Sequence, residues 1–99
     1  MPFELDDITL TEFCLRQGIH RLSLFGSASR GEHTRASDID LLVEFEPGRT
    51  PGFLRLAAME LELSRLLGGR EVELRTFEDL SRLFRDEVRA TAMPVYIAA

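Results

Sequence analysis

The chain of 99 residues has no lysine, no tryptophan, one cysteine and one tyrosine. Each shortage excludes something. Without lysine there is no Schiff base, no P-loop lysine and no lysine general base. The single cysteine, Cys14, admits no internal disulfide. No apolar run reaches the ~18–20 residues that a membrane span needs. Basic charge is scarce as well: 12 arginines stand against 17 acids, a net charge of −5. Non-specific nucleic-acid binding rests on many cationic contacts to phosphate, so that charge balance excludes it. The amino-terminal stretch carries Glu4, Asp6 and Asp7, where a secretory signal would be basic and then continuously apolar. The expected location is therefore the cytoplasm, with no membrane association.

What remains is 44% apolar and 29% charged, the composition of a folded globular domain. At this length a single domain over residues 1–99 is expected, burying roughly 65% of its unfolded surface.

Periodicity predicts the elements. Leu10, Phe13, Cys14 and Gln17 recur at helical spacing in Thr9–Gln17, and Gly18 follows as a cap. Ile19–Phe25 reads as a short strand ending at Gly26. Ile39–Phe45 is a stronger one, with apolar residues at every odd position and Asp40 and Glu44 flanking Leu42 on the other parity. After the turn-rich stretch 46–52, Phe53–Leu67 carries a Leu56, Met59, Leu63, Leu66 stripe and ends at Gly68-Gly69. Leu54, Ala58 and Leu61 lie outside that stripe, which leaves part of the helix to face a partner. Glu62 and Arg65 stand at pair spacing. Glu71–Arg75 alternates as a third strand. Thr76 and Asp79 have the pattern of a capping box opening a helix to about Thr91, and Val95–Ile97 reads as a closing strand or tail. The order α-β-β-α-β-α, with two adjacent strands, predicts an α+β fold rather than a doubly wound parallel sheet. Cys14 is expected in the core, Tyr96 in packing, and His20 and His33 outside the chemistry, since neither has a ligand-spaced partner.

The chemistry sits between Gly26 and Asp40. Asp38 and Asp40, two apart on a strand, project from one face with Cα atoms ~6.5–7 Å apart and converge on one point. Their oxygens repel each other unless a cation intervenes, and hard oxygen donors favour Mg²⁺ or Mn²⁺ over Zn²⁺. Gly26-Ser27 ends the preceding strand. Glycine lets the backbone approach a ligand, and free N–H groups with the Ser27 hydroxyl suit a phosphate. Arg30 adds a candidate phosphate contact. A third carboxylate completes a two-metal site, and Glu73, central on the polar parity of Glu71–Arg75, is the candidate over Glu71 and Glu44. In such a site the ions activate a hydroxyl and stabilise in-line phosphoryl transfer, and the third acid bridges them or acts as base.

Gly26-Ser27 followed after ten residues by Asp38-Ile39-Asp40 resembles the signature of the nucleotidyltransferase superfamily that includes DNA polymerase beta. Chain length and the Ser37–Val43 run make it most similar to the minimal nucleotidyltransferases, the MntA-like branch. That resemblance implies a small nucleotidyltransferase fold, a mixed or antiparallel sheet of three to four strands packed against helices. It implies ATP as substrate, phosphate contacts from Gly26 and Ser27, and Mg²⁺, two ions, held by Asp38, Asp40 and Glu73. It further implies an antitoxin that transfers AMP to a tyrosine of a HEPN-domain ribonuclease toxin. Glu73 departs from the Asp common in this branch, and its extra methylene shifts the carboxylate by ~1 Å, a displacement that can cost about a hundredfold in rate. Two alternatives stay open: an antitoxin with a decayed site that neutralises by binding alone, and nucleotidyl transfer to a small molecule, for which a homo-oligomer would supply the missing surface.

Overall fold

The computed structural model describes residues 6–25, 39–80 and 82–98. The first helix, α1, spans Asp7–Gln17. Asp6 starts it, its carboxylate accepting from the Thr9 N–H at 2.7 Å and the Thr9 hydroxyl at 3.0 Å. Gly18 closes it in the left-handed region at φ 72°, donating to the Cys14 and Leu15 carbonyls. A side chain there would be strained in the backbone and would also meet the Arg49 guanidinium, 2.6 Å from a Cβ.

Strand β1, Ile19–Leu24, and strand β2, Ile39–Phe45, pair antiparallel with Leu24 opposite Leu41. Helix α2, Phe53–Leu66, then crosses back so that strand β3, Val72–Arg75, runs parallel to β2. This is a β-α-β unit, which a parallel neighbour requires. The sheet order is β3-β2-β1-β4, with strand β4, Met93–Ile97, antiparallel to β1 at the far edge. The result is an α+β domain with a four-stranded mixed sheet. None of the described helices is long and apolar enough to cross a membrane.

One sheet face carries the core. Leu10, Phe13 and Cys14 of α1 and Met59 and Leu63 of α2 pack with Ile19, Leu22, Leu24, Ile39, Leu41, Val43, Val72 and Leu74. The period of 2 in the strands and 3.6 in the helices aims those residues inward. Cys14 is fully buried, and burial pushes its thiol up to about 12, so it behaves as a small apolar residue. At the outer edge of the sheet Leu74 donates its backbone N–H to Glu60 Oε2 of α2 at 2.7 Å, so a side chain occupies the hydrogen bond a further strand would have made.

Two expectations are corrected. The helix expected unbroken from Thr76 is divided. Asp79 accepts from the Thr76 N–H and hydroxyl, but the capping box closes only a 3₁₀ turn, Phe77–Asp79. Leu80 is extended, at φ −86° and ψ 141°. Helix α3 then covers Arg82–Thr91. The Leu80 carbonyl, which a continuous helix would use four residues on, accepts instead from Arg85 Nε at 3.2 Å. No residue of α3 is buried, so no core contact forces the two pieces onto one axis. Second, Glu62 pairs with Arg16 of α1 rather than with Arg65, tying the two helices together.

Candidate active site

The polar residues collect on the face opposite the core. In β2 the alternation that buries Ile39, Leu41 and Val43 turns Asp40, Leu42 and Glu44 the other way; in β3 the one that buries Val72 and Leu74 does the same to Glu73 and Arg75. The parallel register sets Ile39 opposite Val72 and Asp40 opposite Glu73. Adjacent strands lie ~4.8 Å apart, so these two carboxylates are neighbours across the ladder. The register is pinned beside them by Ile39 N–H donating to the Glu71 carbonyl at 2.8 Å. Phe25 N–H donates to the Asp40 carbonyl at 3.1 Å, which holds the end of β1 that leads into Gly26 at the level of Asp40.

Asp40 is half-buried and Glu73 half-exposed. Glu71 precedes β3 and is exposed, and Glu44 stands four residues along β2, ~13 Å away, so Glu73 is the acid the register sets beside Asp40. The face is not uniformly wet. Leu42, at 2% exposure, and its β1 partner Ser23, at 3%, are buried next to the acids. Glu73 Oε2 accepts from Arg75 Nη2 at 3.2 Å, a contact that strand parity could have shown, because residues 73 and 75 share a face. An open cleft of about 1000 Å³ runs from Glu44, Glu73 and Arg75 to Phe45, Phe53 and Phe77 and takes in Leu56 and Glu60 of α2; Asp40 does not line it.

Gly26, Ser27, Arg30 and Asp38 lie outside the described residues. Among the described residues no group of three His, Cys, Asp or Glu is placed to hold a metal, and Asp40 with Glu73 forms a pair. The pair consists of oxygen donors, while Cys14 is sealed in the opposite face and His20 Nδ1 engages Glu46 at 3.0 Å. Such donors fit a hard divalent cation.

Comparison with known proteins shows the family. The family model for the nucleotidyltransferase domain matches residues 7–95. The chain belongs to the nucleotidyltransferase domain family. This nucleotidyltransferase is 38% identical over 81 residues to a Methanocaldococcus jannaschii chain, MJ0435, assigned by name as a protein adenylyltransferase; the match covers 82% of this chain and 84% of that one. It superposes on a solved minimal nucleotidyltransferase with a TM-score of 0.72 and 40% identity, covering 89% of this chain and 87% of the other. The fold also matches a toxin–antitoxin structure with AMP-PNP at a TM-score of 0.75 and 21% identity, over 95% of this chain and 75% of that one.

Proposed function

We propose that this nucleotidyltransferase moves AMP from ATP to a hydroxyl of a partner protein, with a tyrosine of a HEPN-domain toxin as the acceptor and the chain itself as antitoxin. The observation that carries the reading is the register of Asp40 with Glu73, two oxygen donors on neighbouring strands of a nucleotidyltransferase fold. The relative assigned as a protein adenylyltransferase supports the acceptor class, and the toxin–antitoxin structure with AMP-PNP supports the partner and the nucleotide.

In this reading Asp38, Asp40 and Glu73 hold Mg²⁺, which when bound supplies charge neutralisation at the α-phosphate and lowers the pKa of the attacking hydroxyl. Gly26, Ser27 and Arg30 contact the phosphates. The acceptor oxygen bonds to the α-phosphorus, the bond from that phosphorus to the bridging oxygen of the β-phosphate breaks, and pyrophosphate leaves. The hydroxyl proton passes to a carboxylate, for which Glu73 is the candidate. The cleft beside Glu73 is open, and the acceptor protein completes its enclosure.

The test is incubation with ATP, Mg²⁺ and the protein encoded beside this one. AMP should appear on a partner tyrosine by mass spectrometry, and the Asp38→Asn, Asp40→Asn double variant should not transfer it. Labelling that persists in the double variant overturns the assignment. A double variant that transfers nothing yet still neutralises the toxin in cells would favour protection by binding alone.

A further inference from the structure

Arg75 closes β3 two positions after Glu73, and the strand period places both on the polar face. Its guanidinium reaches back to Glu73 while staying half-exposed, with side chains 48% and 44% exposed. The cleft beside them is lined by Glu44, Glu60, Glu71, Glu73, Glu78 and Asp79, and Arg75 is the one cation among its described lining residues. Glu60 accepts from the Leu74 N–H and Asp79 from Thr76, so these two acids have their own partners. Of the acids within the cleft, Arg75 meets the one that the register sets opposite Asp40.

Two neighbouring carboxylates repel, and either a metal or a fixed cation relieves that repulsion. A guanidinium donates to the same carboxylate lone pairs that a divalent ion would use. We infer that Arg75 is an internal counterion for Glu73: it holds this carboxylate in the cation-free protein and yields it when a divalent cation binds, so that it sets the cation concentration at which the site loads. The inference rests on the function proposed above. Glutamate at position 73 suits such an exchange, because its added methylene and extra rotatable bond let one carboxylate turn between two partners. Arg75 acts here through Glu73 and is a positioning residue.

Mn²⁺ binding to the whole protein without nucleotide, read by the loss of the free-ion paramagnetic signal, tests this directly. Arg75→Gln should tighten Mn²⁺ binding by about three- to fivefold, the upper part of what an exposed ion pair is worth. In a Glu73→Gln background the same substitution should change affinity by less than about twofold, because the charge pairing it removes is already gone. A gain that persists in that background is a long-range charge effect and overturns the inference. Unchanged or weaker binding in Arg75→Gln, with Mn²⁺ lost in Asp40→Asn, overturns the inference and leaves the metal site standing. If neither the natural chain nor Arg75→Gln retains Mn²⁺, the metal site and the inference fall together.

Discussion

The two faces of β2 and β3 are built from alternate residues of the same short segments, and they answer to different demands. Ile39, Leu41, Val43, Val72 and Leu74 are at most 6% exposed and packed beneath α1 and α2. Asp40, Glu73 and Arg75 are a half-step away on the same strands, and among the described residues beside them Leu42 and its β1 partner Ser23 are buried. One face converts apolar area into stability at roughly 25 cal/mol per Å². The other keeps like charges adjacent, which costs stability unless cations intervene. Because the side-chain period is 2, the core face fixes where the acids go: a one-residue slip of β3 would bury Glu73 and expose Val72 and Leu74. Placement of the Asp40 and Glu73 pair is therefore a by-product of packing on the other side.

If that division holds, substitutions on the two faces should have separable effects. Asp40→Asn should lower nucleotidyl transfer by about a thousandfold, equivalent to ~4 kcal/mol of transition-state stabilisation, and leave the thermal midpoint where it was or slightly higher. A large fall in the midpoint would show that Asp40 is structural. Leu63→Ala is the converse case. It removes a fully buried side chain from α2 and should cost about 3 kcal/mol in urea unfolding, with the transfer rate of the remaining folded protein within about twofold.

The same alternation explains what could be read from the sequence. The core face of β2 and the pairing of Thr9–Gln17 with Gly18 were legible because period and cap agree. Glu73 could be picked out as the middle of a polar parity, but its register with Asp40 depends on the crossover through α2 bringing β3 alongside β2, which no local pattern encodes. The Asp6 cap went unread because the apolar period begins only at Leu10, a turn inside the helix. Thr76 and Asp79 gave a true capping signal and a false length, since the box stabilises one turn whatever follows. Pro94 lies inside β4, where an edge strand tolerates the missing donor. The Arg16–Glu62 pair joins residues far apart in the chain, beyond the reach of an i, i+3 rule.

Glu60 sits on the boundary between the two faces. Glu60→Ala leaves the Leu74 N–H without its carboxylate at a residue 3% exposed, which should cost about 1–2 kcal/mol and free the β3 edge for pairing with another chain. Unfolding midpoints together with sedimentation at rising concentration would read both consequences. The transfer rate at fixed folded concentration should fall little unless β3 shifts, so a large loss would show that Glu60 also fixes the position of Glu73.

The smallest effect belongs to the far end of the core layer, where a carboxylate serves stability and takes no part in the site. Hydrogen bonds from the Thr9 N–H and hydroxyl hold the Asp6 carboxyl below the ordinary 3.8 of an aspartate. A depressed folded value means that the ionised cap is favoured by folding. Its contribution is present above the unfolded value and is lost as pH falls through the lower folded one. Asp6→Ala should therefore lower the thermal midpoint slightly at pH 7, and the gap from the natural chain should narrow below about pH 3.8. Asp6→Asn, a cap of comparable quality that does not titrate, should keep most of its advantage over Asp6→Ala across that range. A gap between the natural chain and Asp6→Ala that stays constant with pH would mean that the protonated acid caps as well as the anion, and would remove this carboxylate from the acid sensitivity of the fold.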